Sequence, residues 1–309
     1  MLKADYLQEV PCPLCHQNDF NVVYDAQYPE ELDDAQMRAI FRSSSDSKRF
    51  DQMVSCNACR MVYLNPRLNQ DIILDGYKSA VDDTFVSQNP YRIQTFKKQL
   101  RKVARKFEIP QGGKLLDIGS AGGAYLAAAS QLGYDAVGIE PSQWMCDFAK
   151  NTYQVDIRPG ILSDHQFESE MFDLVTLWDV LEHVPDPKEV LEDIFRYLKP
   201  GGLLVLTYPN IASLAAKILG PKWPFLLNVH LSYYTPETVS NQLKDVGFDI
   251  QNMSPHWQQL SLGYVCKRAG ALVRPIRVFE KLFRVLRMYH WPIVYNMGQT
   301  MVVSQKPVS

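Results

Sequence analysis

The stretch "KLLDIGSAGGAYL", residues 114–126, decides the fold. Three apolar, strand-like residues run into Asp117, then a turn with Gly119, Gly122 and Gly123, then the helix-like "AYLAAASQL". A glycine turn between strand and helix lets the main chain approach a ligand closely, and the free amides at the helix start favour electron-rich groups. Around this unit, from Lys114 to Asn210, the chain alternates. "KLLDIG", "YDAVGIE", "FDLVTLWD" and "GGLLVLTYPN" are short apolar runs, and "WMCDFAKNT" and "PKEVLEDIFRYLKP" are further helix-like segments between them. A weaker strand is expected near "VDIRPG". Strands alternating with helices predict a parallel α/β sheet, and ligands of such sheets bind at the carboxyl ends of the strands.

Those strand ends carry Asp117, Gly119, Glu140, Asp179 and the segment "EHVPDP". Glu140 closes the second strand, where an acidic side chain reaches the two hydroxyls of a ribose. The turn is nevertheless wrong for a dinucleotide. It reads Gly119-Ser120-Ala121-Gly122-Gly123, with a carboxylate two positions before it. That charge would repel a pyrophosphate and attract the ammonium of an amino-acid moiety.

The composition describes a globular chain: 309 residues, 46% hydrophobic, with a formal net charge of -2. Such a balance offers no global attraction for nucleic acid, and none is expected as a partner. "MLKADYLQEVPC" has no apolar signal core and no run reaches membrane-spanning length, so a cytoplasmic location is expected. In that compartment the six cysteines are expected as metal ligands or free thiols rather than disulfides. Four form the pairs Cys12/Cys15 in "CPLC" and Cys56/Cys59 in "CNAC". Two such hooks complete the tetrahedral shell of a structural Zn2+, although unrelated reduced pairs or a redox dithiol would share the spacing. A closed four-sulfur shell leaves no open coordination position, so this metal is expected to hold structure. The 40 residues between Cys15 and Cys56 include a polar excursion, and Cys146 and Cys266 are expected as buried thiols.

"LLDIGSAGGAYL", "GIEPS", "FDLVTLWDVLEHVPDP" and "LKPGGLLVLTYPN" together resemble class I S-adenosylmethionine-dependent methyltransferases over roughly residues 110–210. The resemblance implies an α/β fold, a Rossmann-like sheet that is mostly parallel with an antiparallel last strand, beside an N-terminal zinc-ribbon region. One departure is Ala121, which stands where the family's turn has its middle glycine, and is expected to keep a negative φ. Carried over, the resemblance places the methionine part of S-adenosyl-L-methionine at Asp117, Gly119 and Ser120, the ribose at Glu140 and Pro141, and the adenine beside Ile161 and Leu162. The resemblance also puts Trp178 and Asp179 among the cofactor-binding residues, with Asp179 and His183 near the methyl group. Gly123 belongs to the cofactor turn or serves helix packing.

The N-terminal cysteine pairs together with this core resemble zinc-ribbon methyltransferases of sugar, polysaccharide and natural-product pathways. "WDVLEHVPDP", Trp178 to Pro187, and "HLSYYTPET", from His230, match segments that approach the methyl group and the substrate mouth in that group. His183, His230, Tyr233 and Asp179 are thereby the catalytic candidates, with Tyr234 beside them. His183 is the only side chain of its segment that titrates near neutrality, though caps and cofactor-shelf residues are as common there. Thr235-Pro236 is expected to cap a helix. The acceptor implied is a small molecule or glycan (a sugar, nucleotide sugar or lipid-linked saccharide), with oxygen ahead of carbon. An RNA or protein methyltransferase with a zinc ribbon, or a binding protein that kept the fold, would share these motifs.

The organisation expected is a zinc-ribbon region over 1–75, a helical linker over 76–110, the cofactor core over 111–210 and a capping segment over 211–309. "YRIQTFKKQLRKVARKF" in the linker has helical spacing and should pack beside the sheet. "VRPIRVFEKLFRVLRMYH", residues 273–290, reads as a basic amphipathic helix, either a lid over the site or a face resting on anionic membrane lipid.

Overall fold

The computed structural model describes residues 6–28, 49–272 and 283–308. Most of the polar excursion between the cysteine pairs, and residues 273–282 of the basic stretch, lie outside the described residues. In chain order the strands and helices begin with β1 (Leu7–Gln8), β2 (Phe20–Tyr24), β3 (Met53–Cys56), β4 (Val62–Leu64) and β5 (Arg67–Leu68). Three helices follow, α1 (Gln70–Lys78), α2 (Asp83–Val86) and α3 (Asn89–Phe107). The alternating part is β6 (Lys114–Ile118), α4 (Ala124–Gln131), β7 (Asp135–Glu140), α5 (Gln143–Tyr153), β8 (Asp156–Pro159), β9 (Phe172–Trp178), α6 (Pro187–Tyr197) and β10 (Leu198–Pro209). Beyond it come α7 (Leu214–Leu219), β11 (Ser232–Tyr233), α8 (Pro236–Val246), β12 (Asp249–Pro255), β13 (Gln258–Ser261), α9 (Leu262–Leu272), β14 (Pro292–Tyr295) and β15 (Gln299–Gln305).

The central sheet has seven strands in the order β12-β15-β10-β9-β6-β7-β8. The strands from β6 to β10 pair in parallel, while β15 runs antiparallel to both β10 and β12. Near-continuous apolar strands are what a sheet covered on both faces requires, and Leu115, Leu116, Val175, Leu177, Leu204 and Leu206 are all buried. The chain winds outward in one direction through β7 and β8 and in the other through β9 and β10. The crevice therefore opens at the carboxyl ends of β6 and β9, where the winding direction changes. Helix α3 lies where its spacing predicts, with Leu100 and Val103 packed on Leu115, Leu174 and Val205.

A second sheet, β11-β4-β3-β2, carries the cysteine pairs. Its edge strand β11 comes from the C-terminal segment, with Ser232 opposite Tyr63 and Tyr233 opposite Val62. Cys12, Val54, Cys56 and Tyr63 share one hydrophobic core with Leu116, Val175, Leu204 and Tyr234. The expected borders at residues 75 and 210 thus cut across packed structure, since α1 runs through residue 75 and β11 completes the N-terminal sheet. Burying both faces against one core is more favourable than building two small cores, because the fraction of surface removed from water rises with size.

Local chemistry sets the element ends. Ser142, Asp186 and Thr235 accept backbone N–H groups at the starts of α5, α6 and α8, with Pro187 and Pro236 in the first turns of α6 and α8. The Asp-Pro of "EHVPDP" is therefore a helix cap. Cys146 is buried as expected, whereas Cys266, on α9, is only half-buried.

Candidate active site

A cavity of about 1000 Å³ opens at the strand ends and is walled on its far side by α1, α3 and the segment 221–230. Asp117, Gly119, Ser120, Glu140, Pro141, Ile161, Leu162, Trp178, Asp179, His183 and His230 all line it. One backbone topology thus gathers eleven sequence-selected residues from five separate stretches.

The two acidic strand ends are buried, not solvated. Asp117 is 1% exposed and accepts a 2.6 Å hydrogen bond from the Thr176 hydroxyl, its register partner on β9. Burial pushes its carboxyl up to about 7, against the stabilising hydroxyls of Thr176 and Ser120. Glu140 is likewise pushed up to about 7 by burial, opposed by the N–H groups of Ser142 and Ala121. Each of its oxygens takes one of these: Oε1 accepts Ser142 N–H at 2.9 Å and Oε2 accepts Ala121 N–H at 2.8 Å. A carboxylate oxygen retains a second acceptor site, so Glu140 can hold the turn and still receive ligand hydroxyls.

Two expectations about the turn are corrected. Ala121 has φ +44°, not a negative value. The amide bond to Glu140 demands that orientation, and the methyl group bears the strain. Gly123 does not line the cavity. Its φ is +76°, and a Cβ there would stand 2.7 Å from the Cβ of Ala149 on α5, so this glycine serves helix packing. Gly119 does face the site: φ is +71°, and a Cβ would meet Val180 at 2.5 Å. Trp178 belongs to an aromatic wall, its ring centroid 4.9 Å from Phe96, 5.4 Å from Tyr125 and 5.6 Å from His256.

The carboxylate of Asp179 is held on several sides. It accepts from the Thr207 hydroxyl at 2.8 Å and from the Gln299 amide, and its own N–H donates back to Thr207 Oγ1 at 2.9 Å. Burial pushes it up to about 6, with Thr207 and the nearby Arg92 guanidinium working against that rise. A carboxylate so fully engaged is a positioning element for this wall.

His183 and His230 meet edge to face, their ring centroids 4.6 Å apart. His183 Nδ1 lies 2.7 Å from the Val229 carbonyl oxygen and 2.6 Å from the Tyr77 hydroxyl. A carbonyl can only accept, so Nδ1 carries the hydrogen and Nε2 keeps a free lone pair. Burial pushes this imidazole down to about 4 and holds that of His230 well below its usual range, so both rings are neutral at physiological pH. Tyr233 is corrected as a catalytic candidate: it is 1% exposed, lies off the cavity wall, and its hydroxyl donates to the Leu227 carbonyl at 2.8 Å. Tyr234 is fully buried against Tyr208, also off that wall.

Sequence reasoning missed Tyr77, Arg92, Gln299 and Glu182. Tyr77 sits outside every motif singled out in the sequence, and Gln299 lies on the last strand, 120 residues from its partner Asp179. Glu182 stood inside the quoted "LEH", yet no local pattern tells whether its side chain turns inward.

In the N-terminal sheet, Cys12 Sγ is 3.4 Å from Cys59 Sγ, and Cys15 Sγ is 3.5 Å from Cys56 Sγ. All four sulfurs lie within 4.8 Å of one another. A tetrahedral ion with ligand bonds of about 2.3 Å has sulfur–sulfur edges of about 3.8 Å, so these thiols can hold one with little movement.

The buried carboxyls give the protein a defined pH response. Asp117 and Glu140 are pushed up to about 7 and Asp51 to about 8, so folding takes up protons there relative to the unfolded chain. The stability they contribute is present in acid and is lost as pH rises through those values. His183 and His256, pushed down to about 4, act oppositely, but their contribution is complete above about 6.5, the unfolded histidine value. Between pH 6.5 and 8 the ligand-free protein should therefore lose about 1 kcal/mol per carboxyl, read as a falling melting temperature. Asp117→Asn should flatten that fall, and an unchanged slope would contradict the assignment.

The sequence model of a family described as a methyltransferase domain matches residues 87–252. The chain is 30% identical over 177 residues to a ubiquinone biosynthesis O-methyltransferase of Cereibacter sphaeroides, an alignment covering 52% of this chain and 72% of that protein. A protein of the same description from Xanthomonas axonopodis pv. citri is 28% identical over 169 residues, covering 50% and 70%. Among solved structures, the YcgJ protein of Bacillus subtilis superposes with a TM-score of 0.50 at 15% identity, covering 69% of this chain and 99% of that one, a likeness of fold alone. With the parallel sheet, its antiparallel last strand and the cavity at the strand ends, these matches place the chain in the methyltransferase-domain family, as an S-adenosylmethionine-dependent methyltransferase.

Proposed function

We propose that the cavity holds S-adenosylmethionine across the ends of β6 and β7 and transfers its methyl group to a hydroxyl of a small molecule seated between Trp178 and the His183–His230 pair. The observation that carries this reading is the sharing of one cavity by two neutral imidazoles and by the buried carboxyls of Asp117 and Glu140. The cofactor supplies, when bound, an electrophilic methyl on a sulfonium. Asp117 receives the methionine ammonium, a cation that offsets the cost of ionising a buried carboxyl. Glu140 accepts the ribose hydroxyls on its remaining lone pairs, and Ile161 and Leu162 cover the base. Trp178, Phe96 and Tyr125 keep water from that end. The acceptor's proton is lost toward the histidine pair, which is neutral and carries free ring nitrogens.

Oxygen is favoured over carbon because the relatives compared are named O-methyltransferases. Those names give no support to the sugar or lipid-linked saccharide expected from the N-terminal cysteines, so the acceptor is assigned only as a small-molecule hydroxyl. The aromatic mouth at Trp223 and Phe225 suits an acceptor with an apolar ring. Labelled cofactor offered with catechol-type and sugar acceptors tests the reading; incorporation only into carbon or nitrogen acceptors would overturn it. The four cysteines hold a structural zinc that fixes the sheet β11-β4-β3-β2. Among the described residues no helix is long and apolar enough to cross a membrane.

Asp117→Asn and Glu140→Ala should each weaken cofactor binding by about 1–3 kcal/mol in calorimetry, the range for losing the partner of a buried polar or charged group. Wild-type affinity in both would reject this cofactor placement. His183→Ala and His230→Ala should lower kcat by about 10²-fold or more while cofactor affinity stays within a few-fold, because proton removal contributes typically 10²–10⁴-fold. Normal turnover in both would place deprotonation elsewhere. Thiolate-bound zinc, released by a mercurial and read colorimetrically, should number about one per chain. Cys56→Ser should abolish that zinc and lower the melting temperature, and zinc-free wild-type protein from chelator-free preparation would sink the assignment.

A further inference from the structure

We propose that Glu182, His183 and His230 form a second metal site, one that takes a divalent transition ion at the acceptor end of the cavity. One ligand atom from each residue lies within 4.8 Å of the others. Glu182 is 1% exposed and neither of its carboxylate oxygens has a hydrogen-bond partner; His230 is 4% exposed and its Nδ1 has none either.

Donor accounting identifies what is missing. His183 spends its Nδ1 hydrogen on the Val229 carbonyl, which leaves Nε2 as an acceptor. For His230 the Phe225 backbone is the neighbour that favours a ring N–H, and since Nδ1 has no partner that hydrogen is assigned to Nε2. Two imidazole lone pairs and a carboxyl therefore face one another, and because burial holds Glu182 well above the usual carboxylate range, the only hydrogen among them is the one its own carboxyl carries. Acceptors gathered in a dry site repel, and a buried polar group left without a partner is costly. A cation removes all of these penalties at once. His183 also shows the arrangement typical of metal-ligating imidazoles, one ring nitrogen tied to a backbone carbonyl and the other free.

The cluster is built in advance of any ion. Leu231 N–H donates to the Glu182 carbonyl at 2.8 Å and ties the two ligand-bearing segments together, while His230 N–H, bonded to the Leu227 carbonyl at 3.1 Å, fixes the turn that carries its own ring. Two nitrogens and one carboxylate suit Zn²⁺, Co²⁺, Mn²⁺ or Fe²⁺ rather than Ca²⁺ or Mg²⁺. Because His183 and His230 line the cavity, its remaining coordination positions face the acceptor. Resting on the oxygen-acceptor reading, the site would bind the acceptor hydroxyl and lower its pKa, so that with the ion bound the imidazoles act as its ligands and no longer take the proton themselves. The O–H bond then breaks with the proton passing to water, and the C–O bond forms as the sulfonium C–S bond breaks, giving a methyl ether and the neutral thioether of the spent cofactor.

The test needs no turnover. Full-length protein with its cysteine site loaded with zinc is titrated with Mn²⁺, the free ion being followed by electron paramagnetic resonance, and separately with Co²⁺ in the visible range. One Mn²⁺ per chain is expected beyond the zinc, and Co²⁺ bands without thiolate charge transfer. Glu182→Gln and His230→Gln should each weaken Mn²⁺ binding at least tenfold while cofactor binding, the control for folding, persists. Absence of Mn²⁺ and Co²⁺ binding by the wild type, or equal binding by folded variants, would overturn the site and leave a shared proton as the occupant. Hydroxyl methylation undiminished with only the cysteine zinc present would also overturn it while sustaining the proposed function. Metal binding without hydroxyl methylation would do the reverse.

Discussion

The carboxylate of Glu140 holds together the turn on which the rest of the site depends. Its two oxygens bind the amides of Ala121 and Ser142, tying the loop after β6 to the loop after β7. Without that bridge the Ala121 and Ser142 amides would lose their partner, and only the bonds of Gly119 and Ser120 N–H to the Ile139 carbonyl and of Gly123 N–H to Ser120 would be left to hold Ala121 at φ +44°. The bridge also orients the end of β6, where Asp117 is braced from the other side by Thr176. The cofactor end is thus a rigid frame assembled from backbone amides and two carboxyls. Burial that raises both pKa values makes the frame costly to ionise when empty, and a bound ammonium relieves that cost at Asp117.

Much of this was legible in the sequence because a parallel α/β sheet writes itself locally. Asp117, Glu140, Trp178 and Asp179 each end a short apolar run or follow one directly, and the topology that gathers strand ends is general. Gly123 was ambiguous because a positive φ beside a ligand and a positive φ beside a helix require the same residue; only Ala149 at 2.7 Å separates the two. Ala121 misled because its conformation is dictated by a side chain 19 residues away. Tyr233 misled for a related reason. A two-residue strand has no periodicity to read, and which of its side chains faces the cavity depends on pairing with β4. Tyr77 and Gln299 gave no signal, because their roles exist only through partners more than 100 residues distant.

The N-terminal sheet changes meaning once its edge strand is seen. A zinc ribbon read from cysteine spacing suggests an appended module, but here Leu231 joins the two halves of the protein. Its carbonyl accepts Leu64 N–H at 3.0 Å, at the end of β4, and its own N–H donates to the Glu182 carbonyl in the loop after β9. Asn228, nearby, accepts the Asp51 N–H at 3.0 Å and that of Phe50 through one amide oxygen. The segment that carries His230 is therefore held between the cysteine-bearing sheet and the methyltransferase core.

That arrangement explains why four buried or half-buried thiols would be kept some distance from the chemistry. Under the proposed function the wall at His183 and His230 has to present dehydrated imidazoles, and dehydration demands close packing around polar rings that cannot pack for themselves. Residues 221–230 lack regular secondary structure beyond a single short helical turn at Gly220–Lys222. Such a loop cannot supply that rigidity from its own hydrogen bonds. Strand pairing to β4 and the shared core of Cys12, Cys56, Tyr63, Leu181 and Tyr234 supply it instead. Cys12 and Cys56 belong to that core, so under the proposed function the contribution of the cysteine cluster is mechanical: it helps fix where the wall stands relative to the cofactor end, and positional errors of an ångström at such a wall cost rate steeply.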